Sequence, residues 1–177
     1  MHKTIGLKRN SVSLVKHNPA WKIEFQKDKI RLQKALGNAA KSIEHIGSTA
    51  VPGLHAKPII DILVGAEHIT KRYKSYIKIL ERAGYIHRPL SSKKGIHIVL
   101  VRGNDTTRTH HIHVVKYKGA VWKRLTLFRD YLIAHSGKAK EYEALKGNLA
   151  RKFPNERRMY TKAKGEFIRK TVALAHK

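Results

Sequence analysis

Three closely spaced histidines, in the run His110-His111-Ile112-His113, are the residues of this chain best suited to chemistry. In a β-strand alternate residues share a face, so His111 and His113 would lie together while His110 points away. Imidazole nitrogens can coordinate divalent metals or hydrogen-bond phosphate. The spacing therefore predicts a metal-binding or phosphate-binding pair, and histidines that only satisfy hydrogen bonds within a sheet are the structural alternative.

A carboxylate, Asp61, lies in the apolar run Ile59 to Val64, which is typical of a buried strand. An unpaired buried charge is costly, so Asp61 must have a partner, either Lys57, a neighbouring helix end or a bound ligand. If this strand lies beside the histidine strand, Asp61, His111 and His113 would converge at one sheet edge. These three residues are the predicted catalytic set and the predicted ligands for Mg²⁺, Mn²⁺ or Zn²⁺.

A small-residue turn, Gly47-Ser48-Thr49-Ala50-Val51-Pro52-Gly53, precedes the acidic strand, with Ser48 thirteen positions before Asp61. Free backbone N–H groups at the start of a helical turn bind phosphate oxygens. Ser48 and Thr49 could donate to phosphate, or could only cap the following turn. The turn therefore predicts a phosphate site formed by Gly47, Ser48 and Thr49, with Lys57 nearby.

Glu44 and His45 precede this turn and should lie on opposite faces of a strand, so one of them should face the ligand. Further cations come from the second half of the chain, where several basic residues lie next to apolar helical stripes and should reach inward. Together they would neutralise phosphate, although Arg129 could instead pair with Asp130 or a glutamate. The predicted cations are Arg108, Arg129, Lys146 and Lys164.

Hydrophobic periodicity predicts an α/β (α+β) fold, with a mixed sheet flanked by helices and a helical cover from Gly119 onwards. The helices are marked by apolar stripes that begin at Trp21, Ile69, Trp122, Tyr142 and Tyr160. The predicted strands are residues 11–16, 42–46, 59–64, 85–87, 96–101 and 109–115.

The composition is strongly basic, with 38 Lys and Arg against 12 Asp and Glu, a formal net charge of +26. Such a charge favours polyanions, so non-specific binding of RNA or DNA is an alternative function. The basic residues are nevertheless spread over several segments, which is typical of solvated helix faces. These include Lys22, Lys27, Lys29, Lys34, Lys71, Arg72, Lys74, Lys78, Arg151, Lys152, Arg157 and Arg158.

The chain of 177 residues is predicted to form a single domain, residues 1–177, with residues 1–10 as a disordered basic tail. It contains no cysteine, which excludes disulfides and thiolate chemistry. No apolar run reaches the roughly 18 residues of a membrane span, and the start lacks a signal-peptide pattern. We therefore expect a cytoplasmic protein with no membrane partner, and the pattern does not determine its oligomeric state.

Several motifs occur here in the order found in GrpB-like proteins, which the chain resembles over nearly its whole length. These are Asn18-Pro19-Ala20-Trp21, Glu44 to Leu54, Lys57 to Ile62, Arg108 to Val115, Phe128 to Leu132, and Tyr142 with Leu145-Lys146. The resemblance implies a nucleotidyltransferase (polymerase β-like) fold, a family that also occurs as a domain fused behind some dephospho-CoA kinases. An accessory role in coenzyme A metabolism is therefore a further alternative.

The resemblance also implies a nucleotide or another phosphorylated small molecule as ligand, and metal-dependent nucleotidyl transfer as the reaction of any enzyme activity. Nucleotidyltransferases hold their metal with two carboxylates at alternate positions of one strand. Here the second position is Leu63, on the same strand face as Asp61. The pattern is thus incomplete, and His111 and His113 would have to replace the missing acid.

Overall fold

The computed structural model describes residues 5–104 and 106–176, and these form a mixed sheet with helices on both faces. The strands are β1 (Leu7–Lys8), β2 (Ala40–Ile46), β3 (Ile60–Ala66), β4 (Ile86–His87), β5 (His97–Gly103) and β6 (Thr107–Lys116). The helices are α1 (Ala20–Leu36), α2 (Tyr73–Arg82), α3 (Ala120–Ala134), α4 (Ser136–Lys152), α5 (Arg157–Ala163) and α6 (Gly165–Ala175). The predicted fold class is confirmed.

The six strands follow the order β2-β3-β6-β5-β4, with β1 paired to the start of β6. Only β3 and β6 run parallel, while the other neighbours are antiparallel. The parallel register sets Asp61 opposite His111 and Leu63 opposite His113. The predicted neighbouring of the acidic and histidine strands is therefore correct, and Asp61, Leu63, His111 and His113 share one sheet face.

Helices α1 and α2 cover the other face. The side chain of Asn18 accepts a hydrogen bond from the Ala20 N–H (2.9 Å) at the start of α1. The helix ends at Gly37, where φ is +51°. Its buried residues recur at helical spacing and join the strands in the main core. That core includes Trp21, Phe25, Leu32, Leu36, Ile60, Ile62, Val64, Leu80, Leu100 and Ile112.

Helices α3 to α6 form the cover predicted for the C-terminal part of the chain. Near the sheet, Trp122 packs with Ile46, Leu63 and Val115. Farther out, residues of α3 and α4 pack against Val51 and Leu54 of the loop after β2, and α6 joins the same cluster. Within the described ranges, none of the helices is long and apolar enough to cross a lipid bilayer.

The N-terminal segment departs from the sequence prediction. Residues 11–16 are not a strand, because the Val12 N–H donates to Pro154 O and only Val15 forms an isolated bridge, with Ala56. The segment thus crosses between two partners, and its loose alternation of apolar residues reflects contacts with both. Within the predicted tail, β1 pairs with β6, while residues 1–4 lie outside the described part of the chain.

Candidate functional site

The predicted candidates Asp61, near the start of β3, and His111, in the middle of β6, are in direct contact. His111 Nδ1 lies 2.9 Å from Asp61 Oδ1, and His111 Nε2 lies 2.6 Å from a terminal nitrogen of Arg157, the first residue of α5. The side chains of Asp61 and His111 are 31% and 17% exposed, so solvent reaches them. The arrangement is a chain of three polar groups, Asp61–His111–Arg157, which is partly exposed to solvent.

The two partners of His111 define its protonation state. A guanidinium group has donors but no acceptor, so His111 Nε2 must accept the hydrogen bond from Arg157. The ring proton is therefore on Nδ1 and is donated to Asp61. Burial lowers the pKa of His111 more than its hydrogen bond with Asp61 raises it. His111 is thus a neutral imidazole with a defined tautomer.

Asp61 stays ionised in this setting. Burial alone would raise the pKa of its carboxyl, but the hydrogen bond from His111 and the positive charges around it hold that pKa well below its usual range. Lys57 is one of those charges. Asp61 therefore makes its direct contact with His111, and Lys57, the partner expected from the sequence, acts on it through its charge.

Lys57 and Lys164 lie against the same buried aromatic ring. Their Nζ atoms are 5.0 and 4.6 Å from the ring centroid of Tyr160, which is 1% exposed. Burial, followed by the positive charges of Arg157 and Lys164, lowers the pKa of Lys57 to about 7. Burial also lowers the pKa of Lys164 to about 8, against the opposing effect of Asp61. Both ammonium groups are thus poorly solvated and close to other cations.

Lys146 is a third lysine of this group and is 1% exposed. Its Nζ donates to the backbone carbonyl of His55 and lies 5.0 Å from the ring centroid of Tyr142. Burial and then the charge of Lys164 lower its pKa to about 7, while Glu143 opposes this. Glu143 itself accepts hydrogen bonds from the backbone and ring of His55.

We refer to Lys57, Lys146, Lys164 and Arg157 as the cationic cluster. The carboxylates that raise the pKa values of its lysines are Asp61 and Glu143. Four cations therefore face two acids, and one of those acids already pairs with His55. Lys57, Lys146 and Lys164 were predicted from the sequence, and the structure brings all three together near Asp61.

The basic run around Arg157 is typical of a solvated helix face, and this pattern does not identify Arg157 as a site residue. Its neighbours Arg151, Lys152 and Arg158 are indeed exposed, whereas Arg157 is half-buried. The signal was the spacing of Arg157, Tyr160 and Lys164, which follows the i, i+3, i+7 periodicity of one helix face. These three side chains, two cations and a tyrosine, therefore lie on the inward face of the helical segment.

The predicted phosphate turn closes tightly on Asp61. Gly47 has φ +73°, and a Cβ there would lie 2.5 Å from Asp61 Oδ2. The following residues, Ser48–Ala50, form a single 3₁₀ turn. Thr49 Oγ1 lies 2.9 Å from His45 Nε2, and the Ser48 side chain hydrogen-bonds Tyr142. The turn thus fixes Asp61 and the surrounding wall, and phosphate contact by Ser48 and Thr49 stays a prediction.

We expect Gly47→Ala to destabilise the protein by about 1–3 kcal/mol, because a side chain at positive φ is strained and would also displace Asp61. Gly53→Ala is a matched control, since Gly53 has φ +76° but nothing within 4 Å of an added Cβ. Urea denaturation measures both changes in the free energy of unfolding. Equal losses in the two variants would contradict the role of Gly47 in packing against Asp61.

Arg129 and Arg108 are held by protein groups rather than placed in the cationic cluster. Arg129 donates to Glu44 Oε2 (3.0 Å), to the carbonyl of His45 (2.8 Å) and to Asp130 Oδ1 (2.7 Å). Arg129 thereby links α3 to β2 and forms the salt bridges that the structural alternative predicts. Arg108 is buried and donates to the carbonyl of Asn104 in the β5–β6 turn.

Glu44 and His45 lie on opposite faces of β2, as predicted. Glu44 lies opposite Leu63, and so on the Asp61 face, where Arg129 binds it. His45 lies on the other face, stacked on Phe25 with ring centroids 4.8 Å apart. Burial lowers the pKa of His45 to about 4. His45 is therefore a neutral core residue, and Glu44 is a structural partner of Arg129.

The other two histidines of the motif have separate partners. His113 Nδ1 lies 3.0 Å from His97 Nε2, and burial lowers the pKa of His113 to about 3. His110 points to the opposite face, as predicted, where its Nε2 lies 2.7 Å from Asp28 Oδ2. Within residues 5–104 and 106–176, no group of three or more His, Asp or Glu side chains is arranged to hold a metal ion.

Comparison with known proteins supports the fold and identifies the family. The model of the GrpB protein family matches residues 11–173. The chain is 42% identical over 166 residues to the glutamate-rich protein GrpB of Alkalihalophilus pseudofirmus, covering 93% of this chain and 95% of that one. It is also similar to the crystal structure of the conserved protein GrpB from Enterococcus faecalis, with a TM-score of 0.80, 34% identity and coverage of 92% and 96%.

A shorter match occurs with the dephospho-CoA kinase of Mycolicibacterium paratuberculosis, 35% identical over 85 residues. It covers 46% of this chain and 21% of that enzyme, so only part of each protein is alike. The family model and the two GrpB relatives, in contrast, span nearly the whole chain. On this evidence the chain belongs to the GrpB family.

Proposed function

We propose that this GrpB-family protein binds a small phosphorylated ligand, a nucleotide or a related phosphate compound, at the cationic cluster beside Asp61 and His111. The observation that carries the proposal is the convergence of four cations, from the loop before β3, from α4, from α5 and from the α5–α6 junction, on a group with few acids. Cations held this close repel one another. A bound polyanion would relieve that repulsion and restore full charge on the lysines.

The chemistry of these side chains suits phosphate. Arg157 offers a fork of N–H donors that fits two phosphate oxygens, and the lysines act as point charges. Tyr142 and Tyr160 are buried beneath the lysines, so their rings support the ammonium groups rather than present a face for a base. The phosphate part of the ligand is therefore the part that we expect the cluster to recognise.

The test is calorimetric titration with inorganic triphosphate and with ATP at pH 7. We expect Lys164→Met to weaken binding roughly tenfold or more, the usual scale for a charge-assisted contact. Lys162→Met is the matched control, because Lys162 is an exposed lysine two residues away on the same segment. Equal effects of the two variants, or no saturable binding by the unaltered protein, would overturn the proposal.

Metal-dependent nucleotidyl transfer is a more specific hypothesis for the same site. Leu63 is fully buried among Ile46, Val115 and Trp122, and these apolar neighbours would leave a carboxylate at this position without a partner. A metal on Asp61, His111 and His113 would also have to displace Arg157 from His111 Nε2. Titration with Zn²⁺, Mn²⁺ and Mg²⁺ tests the ligand set, and binding that is lost in His111→Ala would support it.

Nucleic-acid binding is the competing function, and the net charge of +26 favours it. The lysines Lys22, Lys27, Lys29 and Lys34 of α1 are exposed, as this alternative requires. Binding of RNA and DNA that falls steeply with salt and is unchanged by Asp61→Ala would indicate surface attraction. Dephospho-CoA belongs in the ligand panel too, because of the partial match to a dephospho-CoA kinase.

A further inference from the structure

We propose that His111 is a phosphoryl acceptor, whose Nε2 forms a covalent bond to phosphorus during phosphoryl transfer at the cationic cluster. This inference rests on the proposed phosphate site and adds a reaction to it. It is carried by the two contacts of His111: its Nδ1 lies against Asp61 Oδ1, and one terminal nitrogen of Arg157 lies 2.6 Å from its Nε2 and 3.5 Å from its Nδ1.

The ring is oriented for attack. Asp61 Oδ1 accepts a hydrogen bond from Nδ1–H at 2.9 Å, so the lone pair of Nε2 points away from the carboxylate. An orienting carboxylate also stabilises the positive charge that an imidazole gains when its free nitrogen reacts. Asp61 thus acts as a positioning residue, and the Gly47 turn holds it in place.

The nucleophilic nitrogen faces cations. Arg157 lies 2.6 Å from Nε2, and its charge, like those of Lys57 and Asp61, acts on the His111 ring. A guanidinium has five N–H donors, so Arg157 can bind phosphoryl oxygens when a ligand arrives. When Arg157 turns its donors to the phosphoryl oxygens, it gives up its contact with Nε2. The phosphoryl group that it holds would then lie next to the free Nε2 lone pair.

The phosphoryl transfer takes place in two steps and needs only the bound phosphate compound and an acceptor hydroxyl or water. The Nε2 lone pair forms the N–P bond, and the bond between phosphorus and the leaving group breaks with its electron pair going to the leaving group. The product is a phosphoimidazolium whose Nδ1–H remains bound to the Asp61 carboxylate. Water or an acceptor hydroxyl then attacks the phosphorus, and the N–P bond breaks with its electron pair returning to Nε2. The proton of the water or hydroxyl stays on the phosphate product, so His111 returns to its neutral form. The cations neutralise the charge on the transferring oxygens.

His110 is a built-in comparison. It also lies next to an aspartate, Asp28, but its side chain is 3% exposed and faces the α1 side of the sheet. His111 is 17% exposed and faces the cationic cluster. Adjacent histidines, each with an aspartate, therefore differ in access to an anion, so preferential reaction at His111 would reflect the site rather than the aspartate alone.

The experiment uses potassium phosphoramidate, a small donor that phosphorylates imidazoles directly and releases ammonia. The full chain is incubated with it near pH 7.5, and mass spectrometry follows phosphorylation at each of the twelve histidines. We expect His111 to react at least about tenfold faster than the exposed His68 and His176, because cations stabilise the transferring group. No variant is needed for this comparison, so misfolding cannot obscure it.

Further arms test the geometry. Nuclear magnetic resonance should place the phosphoryl group on Nε2, Arg157→Met should bring the rate at His111 down to that of His68, and excess sulfate should protect His111. Reaction of His111 no faster than His68, or reaction at Nδ1, would overturn the inference. If triphosphate binds at the cluster while His111 shows no preference, the phosphoacceptor role fails and the binding site stands.

Discussion

Asp28→Asn should destabilise the protein by about 3–5 kcal/mol, the range expected when one member of a buried charged network is removed. Asp28 is 1% exposed, and its Oδ1 accepts hydrogen bonds from Arg102 (2.7 Å), Arg31 (3.2 Å) and the Tyr85 hydroxyl (3.2 Å). An asparagine at this position leaves the cations of β5 and α1 without a counter-charge. Urea denaturation measures the loss.

Two comparisons make this prediction specific. Asp130→Asn should cost less than about 1 kcal/mol, because Asp130 is 56% exposed and surface ion pairs contribute little. The second comparison is the pH dependence of the free energy of unfolding, which should differ between Asp28→Asn and the unaltered protein. Burial would raise the pKa of Asp28, but its contact with His110 and the charges of Arg102 and Arg31 lower it. The stabilisation by Asp28 is thus fully present above the ordinary carboxyl pKa and is lost as pH falls through the lowered pKa of the folded protein. The free energies of unfolding of Asp28→Asn and of the unaltered protein should therefore become similar in acid.

The second large effect concerns sulfate binding, which we expect to weaken about 100-fold or more between pH 6 and pH 9. Lys57 and Lys146 have pKa values of about 7 and Lys164 of about 8, lowered by burial and by neighbouring cations. Each lysine is charged below its pKa and neutral above it, and one pH unit corresponds to about 1.4 kcal/mol per proton. Sulfate keeps the same charge throughout this range.

Calorimetry with sulfate across this pH range is the measurement, and Lys57→Met should show a shallower slope because one titrating group is gone. Surface attraction to DNA does not depend on the lysines of the cationic cluster, so non-specific DNA binding should change less than sulfate binding over the same range. Sulfate affinity that is independent of pH would contradict a role for the buried lysines. A DNA affinity that falls in parallel would indicate that surface charge explains both.

The same lowered pKa values affect the protein without ligand. Between the folded pKa values near 7 to 8 and the ordinary lysine value, the unfolded chain binds more protons than the folded one. The free energy of unfolding should therefore rise as pH increases through this window. The unliganded protein thus carries an electrostatic cost at neutral pH, which a bound anion would remove.

Local patterns in the sequence predicted most of the fold. Helix α1 was evident from the spacing of Trp21, Phe25, Leu32 and Leu36, since one face of a helix must be apolar to pack on the sheet. The alternation in the histidine motif placed His110 and His111 on opposite faces, and the structure confirms this. The exception, residues 11–16, is held by Pro154 and Ala56, which no local pattern reveals.

The candidate site was predicted less completely. Asp61, His111, Lys57, Lys146 and Lys164 were all identified from motif or stripe positions, and the fold brings them together. Arg129 was correct as an inward cation, but its contacts with Glu44 and the His45 carbonyl are made across elements and give it a structural role. A basic run does not by itself identify Arg157, and only its i, i+3, i+7 spacing with Tyr160 and Lys164 indicates that it lies on the inward face.

The sequence by itself determined the strand pattern, the helical cover and the residue types available for phosphate chemistry, because these depend on short-range periodicity. The tertiary structure decided which residues meet. Parallel pairing of β3 with β6 sets Asp61 opposite His111, and packing of α5 brings Arg157 to the free nitrogen of that ring. Leu63 lies in an apolar cluster under Trp122. Such long-range contacts fix the electrostatics of the site, since charge interactions depend on distance in space rather than along the chain.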